Sequence, residues 1–218
     1  MKIYVVGGTQ NQFLHIDDIR QKFLTDELHE GDNIDRLNPW YCELTGMYYM
    51  WKHEKEDIVG LEHYRRQFLG KDGVLTKDEI KNILKDNNVI MYRFQGCNSM
   101  THMKGANKTT EFALSLACLC NKYGKDMADY FYKNFTGDHV YLGNMFICKK
   151  EIADKFFEFM FDLLKDFDEI HQFKTPRIDG YICEYFMEPW FRYNGYKIYD
   201  SERIVFDKSG TKRLPNWA

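Results

Sequence analysis

Short apolar runs alternate along the chain with longer stretches in which apolar positions recur three and four apart. Lys2 to Val6, rich in β-branched residues and closed by Gly7-Gly8, reads as a first strand. Ile58-Val59-Gly60-Leu61, Asn88 to Met91 and Val140 to Cys148 read as further strands, the last interrupted at Gly143-Asn144. Gly31 to Asp35 is a loop by composition. Asn38-Pro39 marks a helix start, with Asn as the cap and Pro in first helical position; Leu44, Met47, Tyr48 and Trp51 then share one face. Thr76-Lys77-Asp78-Glu79 has the form of a capping box ahead of Ile80, Ile83 and Leu84. A helix from Thr109 stops near Gly124, and Ile152 to Phe167 is strongly amphipathic. A last helix begins near Asp179, is disturbed at Pro189 and stops at Asn194-Gly195; Lys197 to Tyr199 and Ile204 to Phe206 are candidate closing strands. The alternation predicts one α/β domain over residues 1–218, with a central, mostly parallel sheet flanked by helices.

Composition narrows the classes. The net charge is −3, so no overall positive field invites nucleic acid, and no nucleic-acid partner is expected. No apolar run approaches the roughly 20 residues that span a bilayer. The six cysteines are scattered without a C-x-x-C pair and read as reduced thiols of a cytoplasmic protein. Phosphate-binding glycine loops, zinc-protease and serine-hydrolase motifs are absent. The single D-x-D triplet, Asp166-Phe167-Asp168, lies at the end of a helix and reads as a solvated terminus, so no metal site is expected.

Ligands of such sheets bind beyond the carboxyl ends of the strands. That rule points to Glu62-His63-Tyr64-Arg65-Arg66 and to Gly143-Asn144-Met145. If the backbone stays extended, His63 and Arg65 face one side, Tyr64 and Arg66 the other. A guanidinium fork there matches a diphosphate; equally, the arginines can be solvated or paired with Glu62 and the acidic stretch Glu54 to Asp57. Asn144 can hydrogen-bond a sugar hydroxyl or mark a bulge. Asp179 and Glu184 are alternative general bases, or a cap and an arginine partner.

The run Asp32-Asn33-Ile34 … Asn38 … Tyr41-Cys42-Glu43-Leu44-Thr45 … Trp51-Lys52 … Ile58 to Arg66 … Phe68 resembles the signature of the DUF4422 family, bacterial capsular and exopolysaccharide biosynthesis proteins regarded as glycosyltransferases. Asn144-Met145-Phe146-Ile147 and Arg177 … Gly180-Tyr181 … Glu184 resemble its later blocks. The resemblance implies a GT-A-like domain that moves a hexosyl group, galactosyl or galactofuranosyl among the candidates, from a UDP-linked or other nucleotide sugar. The acceptor implied is a lipid-linked saccharide at the inner membrane face, with peripheral membrane contact. Carried over by residue, Asn33, Glu43, Thr45, His63, Tyr64, Arg65 and Arg66 would bind the donor. Asn144, Met145, Arg177 and Gly180 would bind the acceptor or sugar, and Asp179 or Glu184 would take the acceptor proton. No tightly bound cofactor is expected, and the arginines would replace a divalent metal on the diphosphate. The alternative is a non-catalytic nucleotide- or carbohydrate-binding protein that keeps the fold.

Overall fold

The structure, a computed structural model, describes residues 1–206 and 212–213. Its main sheet has the order β2-β1-β3-β6-β5-β7, formed by Arg20–Leu24, Lys2–Gly7, Ile58–His63, His139–Lys149, Val89–Gln95 and Ile198–Ser201. β6 alone runs against the other five, so a central sheet flanked by helices forms as expected, with mixed rather than mostly parallel pairing. Strands β4 (Arg66–Phe68), β8 (Arg203–Phe206) and β9 (Lys212–Arg213) form an antiparallel ribbon leaving the end of β3.

Period-two alternation divides the sheet between two cores. Tyr4, Val6, Val59, Leu61, Met91, Phe146 and Cys148 face the larger one. The helices on that side are α2 (Leu44–His53), α5 (Thr109–Tyr123), α6 (Lys125–Phe135), α7 (Lys150–His171) and α8 (Ile178–Tyr193). Ile3, Ile90, Met145 and Ile147 face the smaller core, closed by α3 (Lys77–Asp86) through Ile80. The aromatic-rich α8 serves packing: Tyr185, Phe186, Trp190 and Phe191 are all buried. Short helices α1 (Asn38–Tyr41) and α4 (Ser99–Gly105) and a 3-10 turn at Asp35–Leu37 complete the described elements.

Local chemistry explains several boundaries. Thr76 and Glu79 make both hydrogen bonds of the capping box that opens α3. Asn38 does not cap α1: its backbone is already helical and its side chain makes no cap bond. The helix expected from Asn38 onwards is broken at Cys42, whose φ is 51°, and Thr45 Oγ1 donates back to the Cys42 carbonyl at 2.9 Å across the break. Asp168, read as solvated, is buried and accepts from Tyr41 Oη at 2.6 Å.

The expectation for Glu62 to Arg66 is corrected in two respects. Tyr64-Arg65 is a two-residue turn, and His63 pairs with Arg66 across it. The pair stands side by side instead of on opposite faces. Nor does Glu62 pair with either arginine of the turn. It points to the smaller core, where Arg20 Nε donates to its Oε2 at 2.7 Å and Phe68 N to its Oε1 at 3.0 Å.

Candidate active site

β6 follows β3 only as far as Leu61↔Phe146. Beyond that, Gly143 and Asn144 take φ of 88° and 52°, and the register of β6 against β5 shifts. The bulge carries β6 away from β3 at the point where β4 joins it. His63, at the end of β3, fills the opening: its Nε2–H donates to the Gly143 carbonyl at 2.5 Å. The Gly143 N–H is held by the Glu184 carboxylate, which arrives from α8. The backbone of one residue, Gly143, is thus clamped from β3 and α8 together.

Asn144 fixes a second acid. Its Nδ2 donates to Glu43 Oε1 and to the Gly180 carbonyl, both at 2.9 Å, while its buried Oδ1 has no partner among the described residues. Glu43 lies between the break at Cys42 and the start of α2, so Asn144 ties that junction to α8.

These groups back onto a cleft of about 360 Å³ at the carboxyl ends of β1, β2 and β3. Its walls are Gly7-Gly8 after β1, Thr25-Asp26 after β2, His63-Tyr64 after β3, and Asn38, Cys42-Glu43 and Arg177 from the helices facing them. Asp26 is anchored by Thr9, whose N–H and hydroxyl donate to it at 2.8 and 2.9 Å. Arg177 stands at the N-cap of α8 with φ 63°, exposed, its N–H donating to the Pro39 carbonyl at 2.9 Å.

Burial sets the protonation of the inner groups. It pushes the Glu184 carboxyl up to about 8, aided by Glu43 beside it and opposed by Arg66, Arg177 and the Gly143 N–H. Burial also holds His63 below its ordinary range, against the pull of Glu43. Near neutral pH the inner layer therefore contains a protonated Glu184 and a neutral imidazole, with Glu43 facing the cleft.

A family model described as a domain of unknown function, DUF4422, matches residues 2–195. This chain belongs to the DUF4422 family. Among solved structures it is similar to WbbM, a bifunctional glycosyltransferase in its apo form, with a TM-score of 0.79 and 19% identity. The match covers 98% of this chain and 46% of WbbM, so the chain spans just under half of that enzyme's length. At this identity the likeness establishes the shared fold. No curated protein matches the chain.

The DUF4422 blocks meet only in part. Glu43, His63, Tyr64 and Arg177 line the cleft, with Asn144, Gly180 and Glu184 joined to them by hydrogen bonds. Arg66 lies inside, close enough to His63 and Glu184 to act on both charges. Arg65 is exposed on the turn and lines a neighbouring cleft instead. Other residues have structural roles. Asn33 organises its loop, donating to the His29 and Gly31 carbonyls at 2.7 and 3.0 Å. Thr45 is fully buried at the Cys42 break, and Met145 is buried in the smaller core. Asp179 is fully buried against Asp168 rather than open to the cleft, a poor position for a base.

Asp26, Asn38 and the Gly8 turn line the cleft without having been singled out as ligand contacts. Asp26 follows a strand, Arg20–Leu24, that the apolar pattern did not reveal. Among the described residues no group of three or more His, Cys, Asp or Glu side chains is arranged to hold a metal, and no helix is long and apolar enough to cross a membrane.

Proposed function

We propose that this protein transfers a sugar from a nucleotide-sugar donor to a glycan acceptor. The observation that carries the reading is the cleft at the carboxyl ends of β1, β2 and β3, lined by two acids, Asp26 and Glu43, and one exposed guanidinium, Arg177. The same fold in a glycosyltransferase supports it.

In this reading Arg177 neutralises the donor diphosphate, and Arg66 supports it from behind His63. An acceptor hydroxyl attacks the anomeric carbon as the bond from that carbon to the diphosphate oxygen breaks. The nucleoside diphosphate leaves with the bonding electron pair, and the hydroxyl proton passes to a carboxylate. Glu43 takes that proton in place of Asp179 or Glu184, because it faces the cleft and Asn144 fixes its Oε1. Cationic side chains do the work a divalent ion does in other sugar transferases, so EDTA leaves the rate unchanged. The transferred group is a hexose, and the acceptor a lipid-linked saccharide of a surface polysaccharide, met peripherally at the inner membrane face.

A transfer assay over UDP-linked hexoses, galactose and galactofuranose included, tests the reading. Glu43→Gln should lower kcat by about 10²–10⁴ while leaving donor affinity near wild type. Full rate in Glu43→Gln, or inhibition by EDTA that Mn²⁺ restores, contradicts it.

A further inference from the structure

Next to the first cleft lies a larger one of about 630 Å³. The two share Gln10, Asn11 and Tyr64 as a common wall. The second is completed by Gln12 and Leu14 from the loop after β1, by Arg65 and by Phe206 at the end of β8. It has a different chemical character. Its polar lining is mostly carboxamide, and Arg65 is its one charged group among the described residues. The Gln10 and Gln12 side chains make no hydrogen bond among the described residues. Tyr64 and Phe206 supply aromatic surface. Arg65 is exposed, has no ion-pair partner among the described residues, and rests with its guanidinium carbon 5.6 Å from the centre of the Tyr64 ring.

These features suit an acidic saccharide. Carboxamides both donate to and accept from hydroxyl groups, and an aromatic wall packs against the C–H face of a sugar ring. An unpaired guanidinium fork binds a carboxylate or phosphate through two oxygens. Sugar transfer also requires acceptor and donor side by side, with the attacking oxygen about 3–3.5 Å from the anomeric carbon. A second cleft sharing a wall with the first meets that requirement.

We infer that the cleft lined by Arg65, Gln12, Tyr64 and Phe206 is the acceptor subsite, and that it takes a saccharide carrying an anionic group, a uronate carboxylate or a sugar phosphate. This inference rests on the transferase reading for the meaning of the first cleft. It separates two neighbouring arginines by role, Arg66 turned toward the donor and Arg65 toward the acceptor.

Ligand-observed NMR on the full chain, with UDP present in excess, tests it. Glucuronic acid and glucose 6-phosphate are the anionic probes and methyl glucoside is the neutral control. At least one anionic probe should bind about tenfold more tightly than methyl glucoside without displacing UDP, and the stronger of the two identifies the acid. Arg65→Ala, at an exposed turn position, should remove that advantage and leave UDP affinity unchanged. Gln12→Ala should weaken the same probe. Equal binding of acidic and neutral probes, displacement of UDP by the anionic probe, or full binding in Arg65→Ala overturns the assignment. Failure of UDP, GDP and ADP alike to bind wild-type protein strikes the transferase reading instead, and the probes alone, without nucleotide, then still report on the second cleft.

Discussion

Glu184 and Glu43 are two acids in adjacent environments with divided roles. Glu184 is enclosed and its carboxyl is raised to about 8, whereas Glu43 opens to the cleft. Raising the pH above 8 ionises Glu184 and places a new negative charge behind the cleft that the proposed donor phosphates would enter. Donor affinity should therefore fall above about pH 8 in the wild type. Glu184→Gln keeps the neutral form and an acceptor for the Gly143 N–H, so its affinity should stay flat to pH 9 by titration calorimetry; the same alkaline fall in the variant would refute this role. Asp168 and Asp179 are a separate case. Burial raises both; Asp168 raises Asp179 further, while hydrogen bonds from Tyr41 and Asp179 pull Asp168 back down. The folded chain thus binds protons that the unfolded chain has already lost above about pH 4. By linkage the stabilisation is complete below that pH and is lost as pH rises through the raised folded values. Asp179→Asn, which stays neutral and can still donate to Asp168, should flatten the decline in urea midpoint between pH 5 and pH 8.5. An unchanged slope contradicts the shared proton.

The elements show where a residue pattern is sufficient and where it is not. The capping box at Thr76 and the amphipathic run from Ile152 are local signals, and both elements form as read. β2 carries no such signal. Its Arg20 is buried by an ion pair to Glu62, 42 residues away in sequence, which no local window shows. The turn at Tyr64-Arg65 lacks the Asn-Gly or Gly signal of tight hairpins, so the site-forming His63↔Arg66 pair was also hidden. Gly143-Asn144, by contrast, was visible as an interruption, and it is the bulge that opens the site. Gly60 reveals how closely β3 and β6 approach: an added Cβ would lie 2.7 Å from both Ile147 Cγ1 and the Phe146 carbonyl oxygen. Gly60→Ala should cost about 1–3 kcal/mol in urea unfolding. A loss below a few tenths would mean that the strands part more easily than this packing implies.

At the scale of the molecule, the sheet directs three strand ends to one place. β1, β2 and β3 run together and finish at the cleft, and β6 leaves β3 there so that α8 can deliver Glu184 and Arg177 from the other side. The family blocks marked Glu43, His63, Asn144, Arg177 and Glu184 as candidates, and folding joins all five in or behind one cleft. They did not tell which arginine lines the cleft, because that depends on the turn geometry and on the left-handed N-cap of α8. The central claim is that this cleft grips a nucleoside diphosphate through Arg177. Titration calorimetry of UDP, GDP and ADP in EDTA, on wild type and Arg177→Ala, tests it most directly. At least one nucleotide should bind the wild type, and Arg177→Ala should weaken it tenfold or more. No binding by any of the three, or equal binding by the variant, would contradict the account.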